Sequence, residues 1–334
     1  MRVTADGWAG FGRYDWHDLG KVRARLEAGA DPNTGMGPGG PLHDAVRVGA
    51  LGAVAELARR VDDVDAEHHG RTPLWTAVFD KRPEIARALA EAGADPWRPM
   101  MNGWSPGRLS LAGPTPDLFP LPPDAPGLSE EETAAAEYAR SLVAALGDPG
   151  IDIMGLSLAC APGITVDEAA RRLHAVPADK DEVEEILEDP YSGDIEDGPI
   201  LVVGATGVPG GCVLSQPWGY AASASGAVRR LSAGTLCAAM YANPSSGPQG
   251  CLSRDGERVY HDGFPGGGGA DPDMAAAEIL TEYLYHFEPV AFTVFEAGMR
   301  LPDARAVFGP PDVWLRLPSL DFIWDDLEPG DPLG

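Results

Sequence analysis

The chain has 334 residues, 44% of them hydrophobic and 7% aromatic, and a formal net charge of −26. This length allows two domains with hydrophobic cores of their own. The charge argues against a nucleic-acid or anionic-membrane partner, because both need clustered Lys and Arg side chains. The N-terminal residues lack the apolar stretch of a signal peptide, and no run approaches the roughly 18 apolar residues of a membrane helix. We therefore expect a cytoplasmic protein.

A helix–turn–helix unit recurs in the first third of the chain. Pro73 is placed to begin a helix, and it has counterparts 32 residues earlier, at Pro41, and 33 residues later, at Pro106. The sequence Glu-Ala-Gly-Ala-Asp-Pro, which ends a helix, occurs at residues 27–32 and again at 91–96. This period resembles that of the ankyrin repeat over about residues 7–113. The resemblance implies stacked pairs of helices and a role in protein binding.

The third unit of this array is incomplete in the sequence. Its inner helix is expected at residues 104–111, and a Pro-rich stretch follows where the outer helix belongs. So short an array needs a cap, because about three repeats are required for independent stability. A helix at residues 130–146, opened by a capping box of Ser129 and Glu132, is the candidate cap.

Candidate partner-binding side chains lie at the starts of the inner helices and on the protruding fingers between units. We expect Met100, Met101 and Trp104 to be exposed on the last finger. Adjacent histidines at a finger tip point apart and have no third ligand in phase, so no metal site is predicted there. The predicted partner-binding residues are His43, His68, His69, Trp75, Met100, Met101 and Trp104.

The second half of the chain changes from helical to alternating periodicity. We predict an array at residues 1–112, a Pro-rich linker at 113–128 and an α+β domain at 129–334, with an antiparallel sheet and helices on one side of it. Asp255-Gly256 is expected at the turn of a hairpin. The predicted strands are 151–161, 199–204, 210–216, 235–241 and the hairpin 251–261, and the predicted helices are 165–174, 227–232 and 274–287.

One segment of this domain carries a second resemblance. Residues 210–244, with Val-Arg-Arg-Leu-Ser-Ala-Gly at 228–234 and Ser-Arg-Asp-Gly at 253–256, form a strand, a turn, a helix end and a returning strand. This pattern resembles an uncharacterised bacterial family, domain of unknown function 6461. The resemblance would cover about residues 130–300, and it implies no activity.

Several motifs suggest chemistry but lack an essential part. Residues 201–210 look like the glycine turn of a dinucleotide fold, yet a strand follows instead of a helix, so a tight hairpin explains the glycines better. The acidic stretch 180–197 lacks the spacing of a calcium loop. No catalytic, metal-binding or cofactor-binding residue is predicted. The four cysteines are expected to be reduced and to pack in the core, although a Cys nucleophile paired with His174, His261 or His286 stays open: Cys160, Cys212, Cys237 and Cys251.

Aromatic and basic residues of the second half suggest a small-molecule pocket. The candidates are Trp218, Tyr220, Arg229, Arg230 and Tyr241. We nevertheless expect an acidic scaffold that binds a protein partner, for which a basic surface is one option. One alternative is an enzyme or small-molecule binder with a pocket at the junction of the two domains. Another is an immunity-type protein that neutralises a basic partner by electrostatic steering.

Overall fold

The computed structural model describes residues 7–35, 39–147, 153–190, 199–262 and 264–324. Its contacts divide the chain into two compact units. The first comprises Met1–Glu137 and Gly269–His286, and the second comprises Tyr138–Gly268 and Phe287–Gly334. The sequence-based boundaries, which place everything after residue 128 in one domain, do not foresee that residues 269–286 join the first unit.

The described helices and strands are as follows. The α-helices are α1 (Leu19–Glu27), α2 (Gly40–Arg47), α3 (Leu51–Ala58), α4 (Pro73–Phe79), α5 (Pro83–Glu91), α6 (Pro106–Ala112), α7 (Glu130–Leu146), α8 (Val166–Arg172), α9 (Lys180–Glu188), α10 (Ser225–Leu231), α11 (Ala276–Leu284), α12 (Pro289–Glu296), α13 (Arg305–Phe308) and α14 (Leu320–Trp324). The strands are β1 (Ser157–Pro162), β2 (Val176–Pro177), β3 (Val202–Val208), β4 (Gly211–Gln216), β5 (Leu236–Asn243), β6 (Gly247–Arg254), β7 (Glu257–Asp262) and β8 (Val313–Arg316). Short 3-10 helices lie at Arg13–His17, Met101–Gly103, Pro199–Leu201 and Ala221–Ser223.

The first unit stacks helices in pairs. Inner helices α2, α4 and α6 each have a proline in the first turn, and outer helices α1, α3 and α5 pack behind them. Thr72 and Ser105 cap α4 and α6, because their hydroxyl oxygens accept the N–H groups of Trp75 and Arg108 at 3.0 and 3.1 Å. Ala45 and Ala77 are wholly buried between the inner helices, where small side chains allow close approach.

A repeated hydrogen bond joins successive helical pairs of the stack. Asn33 Oδ1 accepts the backbone N–H of Asp62 at 2.8 Å, and Asp65 Oδ2 accepts that of Asp95 at 2.9 Å. Asn33 and Asp65 are separated by one period of the repeat. The period read from the sequence is therefore also the period of the contacts that hold neighbouring units together.

The expected capping box at the start of α7 is confirmed. Ser129 N donates to Glu132 Oε2 at 2.8 Å, and Glu132 N donates to Ser129 Oγ at 3.1 Å. Glu132 also accepts two hydrogen bonds from Arg108 Nη2, at 2.8 and 2.9 Å, so the start of α7 is held on α6. Helix α7 thus covers part of the array end, as expected, but residues 269–286 cover more of it.

The second unit is built on an eight-stranded sheet in the order β2-β8-β3-β4-β1-β5-β6-β7, and each neighbouring pair is antiparallel. The predicted α+β fold class is confirmed. The glycine-rich residues after β3 form a tight hairpin to β4, and Asp255-Gly256 form the β6–β7 turn with φ of 52° and 83°. The strand predicted from residue 151 begins at β1 instead, and its first two residues lie outside the described ranges.

Helices cover both faces of the sheet, so the expectation of helices on one side is wrong. Cys237 and Ala239 of β5 lie in a core with α8 and α10, whereas α12 and α13 pack on β1, β3, β4 and β5. Ala238 and Met240, which alternate with Cys237 and Ala239 along β5, are also buried, although they lie outside that core. Since successive side chains of a strand point to opposite faces, this burial requires cover on both.

Candidate functional site

Residues 269–276 lie against the fingers of the array. The guanidinium of Arg71 donates to the carbonyl of Ala270 through Nε and Nη2, at 3.0 and 2.6 Å. Asn102 Nδ2 donates to the carbonyl of Met274, and Trp104 Nε1 donates to that of Ala276 at 2.9 Å. Part of the finger surface is therefore already occupied by a segment of the same chain.

Helix α11 and the residues after it continue this cover over α4. Lys81 Nζ donates to the carbonyls of Leu284 and His286, at 3.3 and 3.0 Å. The ring of Phe79 lies 5.7 Å from that of Tyr283 and 4.9 Å from that of His286. The third helical pair of the array lacks an outer helix. Side chains of α11 pack there and complete the apolar core.

The finger before α4 ends in a two-residue turn, in which His69 is exposed and Gly70 is half-buried. His68 and Arg71 exchange backbone hydrogen bonds of 2.9 and 3.0 Å, with His69 and Gly70 between them at φ of 49° and 69°. Two residues at positive φ between paired strand residues are typical of the type I′ turn. The turn therefore presents His69 to solvent at the end of a hydrogen-bonded finger.

The histidines near this turn form a row. Nε2 of His43 lies 2.9 Å from the carbonyl oxygen of Ala66, and this ring nitrogen carries the hydrogen because a carbonyl can only accept. Burial lowers the pKa of His43. The ring of His68 is 6.1 Å from that of His43 and 4.0 Å from that of His69. The row links the start of α2 to the tip of the finger.

The second unit contains a cavity of about 520 Å³ over β5, β6 and β7. Its other walls come from α10, from Tyr220 beside the 3-10 helix, and from Trp324 at the end of α14. The ring of Tyr220 is 6.1 Å from that of Tyr241 and 5.2 Å from that of Trp324. Three aromatic rings therefore gather on one side of the cavity.

Polar and charged groups line the rest of the cavity. Two arginines, one carboxylate and one histidine reach it from α10 and the β6–β7 hairpin: Arg229, Arg258, Glu257 and His261. Ser225 also lines it, and its hydroxyl oxygen is buried without a hydrogen-bond partner in the described part of the chain. A polar ligand has several groups to bind here.

The comparison with family models identifies one segment of the chain. The ankyrin repeat model matches residues 69–99. The matched segment begins in the finger turn and includes α4 and α5. An ankyrin repeat indicates a protein–protein interaction module. No curated protein matches the chain. The second resemblance, to the uncharacterised bacterial family, is not supported by these comparisons.

The structure separates the predicted partner-binding residues of the helical array into two groups. The expectation that Met101 and Trp104 are exposed is wrong: they are 3% and 0% exposed, because residues 269–276 and α11 cover the last finger. Trp75 is also buried, at 1%, and Met100 is half-buried. His69 is exposed, and His43 and His68 are half-buried in the row described above.

Three of the five predicted pocket residues line the cavity, namely Tyr220, Arg229 and Tyr241. The other two have structural contacts. Trp218 donates from Nε1 to the carbonyl of Pro199 at 2.9 Å and stacks on Trp314 at 5.4 Å. Arg230 donates to the carbonyls of Gly226 and Phe322 at 2.9 and 3.0 Å, and its guanidinium lies 3.9 Å from the Phe322 ring centre.

One cysteine and one histidine come together in the cavity. Cys251 and His261 are paired across β6 and β7, and both line the cavity. Burial raises the pKa of the Cys251 thiol to about 11, although Arg258 opposes the shift. A thiol with this pKa is protonated at neutral pH and is a weak nucleophile. The other cysteines are fully buried. The arrangement favours binding over nucleophilic catalysis.

The described residues offer no candidate metal centre and no candidate membrane span. No group of three or more His, Cys, Asp or Glu side chains there is arranged to hold a metal ion. In the same ranges, no helix combines the length and apolar character needed to cross a bilayer.

Proposed function

We propose that the N-terminal unit binds a protein partner through the finger turn at Glu67–Gly70 and the adjacent row of histidines. The observation that carries this proposal is the match of the ankyrin repeat to residues 69–99, which begins in this exposed turn. Residues 269–276 cover the last finger and also approach this turn, since a Cβ on Gly70 would lie 2.9 Å from Pro272 Cγ. Glu67 and His69 are the residues of the turn that are exposed to a partner.

The charge of the array bears on the chemistry of that partner. Residues 1–112 contain 15 acidic and 14 basic side chains, whereas residues 113–334 contain 36 and 11. The acidity of the chain therefore lies outside the repeats. The finger before α4 is an exception within the array, because residues 61–70 contain four acids and no Lys or Arg, although Glu67 pairs with Arg98 at 2.5 Å. The salt dependence of the complex therefore distinguishes a basic partner, including one neutralised in an immunity-type role, from a neutral one.

Site-specific photo-crosslinking tests the proposal on the full chain. A benzophenone amino acid replaces His69 at the tip of the finger, and the matched control places it at Arg87, an exposed position on outer helix α5 of the same repeat. We expect a discrete crosslinked protein from position 69 that is absent from position 87. The captured protein is then purified and titrated against the full chain and its variants.

The purified partner gives the decisive comparison. His69→Ala should weaken its binding by about tenfold, as expected for a contact residue at an interface, and Arg87→Ala should leave it unchanged. Equal crosslinking at both positions, or equal binding of both variants, would overturn the proposal. A fall in affinity of several orders of magnitude between low and high salt would favour the basic partner instead.

A further inference from the structure

The cavity over β5, β6 and β7 has no part in the proposed protein binding, and it opens to solvent between exposed residues such as Arg229 and Arg258. Pockets that bind small molecules commonly enclose about 300–1,000 Å³. The volume of about 520 Å³ falls within that range.

One wall of the cavity suits a planar ring. Tyr220 meets Tyr241 at an interplanar angle of 73° and Trp324 at 43°. Aromatic side chains bind other rings in edge-to-face or offset arrangements, and the three rings offer both faces and edges. A flat, unsaturated group would therefore be held better than a flexible aliphatic one.

Two other lining residues suit an anion. Arg229 and Arg258 bring two guanidinium groups to a cavity whose described lining has a single carboxylate, that of Glu257. The sequence carries no Asp or Glu from residue 198 to residue 254, although the whole chain has a charge of −26. Guanidinium groups match the paired oxygens of carboxylate and phosphate groups. Two guanidinium groups therefore line one cavity, in a part of the sequence that is poor in carboxylates.

A buried hydroxyl adds a polar contact. Ser225 lines the cavity, and its Oγ has no hydrogen-bond partner among the described residues. A buried polar atom without a partner is unfavourable, and a bound polar group would satisfy it.

We propose that this cavity binds a small planar molecule carrying a carboxylate or phosphate group. The ring lies against Tyr220, Tyr241 and Trp324, and the anionic group lies at Arg229 and Arg258.

Calorimetric titration of the full-length protein tests the ligand class. The probes are indole-3-acetate, a ring with a carboxylate, and adenosine monophosphate, a ring with a phosphate. Indole and adenosine lack the anionic group, and acetate and inorganic phosphate lack the ring. We expect at least one charged ring probe to bind about tenfold more tightly than its two matched fragments, the uncharged ring and the free anion. The probe that does so distinguishes a carboxylate from a phosphate ligand.

Matched variants test the position of the site. Arg229→Gln and Arg258→Gln should each weaken the bound probe by about tenfold, and Tyr241→Leu should weaken it by removing a ring. Arg254→Gln is the control, because Arg254 is an exposed arginine of the same hairpin that is absent from the cavity lining. Thermal melting of each variant checks that it is folded.

Three results would overturn the proposal. One is equal weakening by Arg254→Gln and Arg258→Gln, and another is equal affinity for charged and uncharged rings. The third is failure of both charged ring probes to bind, together with no aromatic anion detected by mass spectrometry after denaturation of the purified protein.

Discussion

Asp80 and His286 are 206 positions apart in the sequence, and Oδ1 of Asp80 lies 3.2 Å from Nε2 of His286. Asp80 ends α4, and His286 follows α11 as a residue that is only 5% exposed. This contact and the two hydrogen bonds of Lys81 fasten the returning segment to the array. Residues 269–286 are therefore a structural part of the first unit.

Removing the charge of Asp80 should loosen this segment. Asp80→Asn keeps the shape of the side chain but weakens its hydrogen bond to His286, and we expect the free energy of unfolding to fall by about 1–2 kcal/mol. Hydrogen exchange of residues 276–286 should become faster. Asp117→Asn, at an exposed site, is the control. Unchanged protection of α11 in the Asp80 variant would contradict this role.

The closeness of the inner helices predicts the effect of a larger side chain. Ala77 is fully buried in α4. Ala77→Leu should lower the free energy of unfolding by about 1–3 kcal/mol, because added methyl groups force the helices apart. Ala24→Leu, on the exposed side of α1, should change it little. Urea denaturation measures both variants, and equal stability of the two would show that the stack can expand.

Glu296 of α12 predicts a pH effect in the second unit. Burial raises its pKa above the ordinary value of 4.5, so between these two pKa values the folded state binds more protons than the unfolded state. Stability therefore falls as the pH rises through this window and stays lower above it. Glu296→Gln should be more stable than the parent at pH 7 and less sensitive to pH. Urea denaturation from pH 4 to pH 7 tests this.

Glu137→Gln is the control for that experiment, since Glu137 is an exposed residue of α7. The prediction fails if the two variants change stability by the same amount, or if the advantage of Glu296→Gln disappears as the pH rises.

The thiol of Cys251 should react slowly in the folded protein. With a pKa raised by burial to about 11, its thiolate fraction at pH 8 is small, and alkylation by iodoacetamide should accelerate as the pH approaches 11. Arg258→Gln should slow the reaction further, because Arg258 lowers this pKa. Peptide mass spectrometry identifies the modified residue, with urea-unfolded protein as the reference. Rapid alkylation of the native protein at pH 7 would restore the case for a nucleophile.

Local features of the fold were predictable from the sequence, and distant contacts were not. The cap at Ser129, the proline at the start of α4 and the turn at Asp255 depend on residues within a few positions of one another. The place of α11 depends on its apolar face meeting Phe79, about 200 positions earlier. Helical periodicity predicts such a face but cannot name the surface that it packs on.

The cavity illustrates the same limit at single residues. Arg229 and Arg230 are neighbours on α10, yet one lines the cavity and the other stacks on Phe322. Successive residues of a helix differ in direction by about 100°, so only the packing of α10 decides which one faces the cavity. Trp218 is an equally good candidate for the pocket from the sequence. It stacks instead on Trp314, which is far along the chain.

The return of residues 269–286 to the array has a consequence for biosynthesis. A ribosome releases the N-terminal helices first, yet His286 reaches Asp80 only after seven of the eight strands that the structure describes have been translated. The nascent repeats must wait, with Phe79 and Trp104 lacking their final cover, while the intervening polypeptide emerges. The unit that is begun first is among the last to be finished, which makes it a candidate client for chaperones during translation.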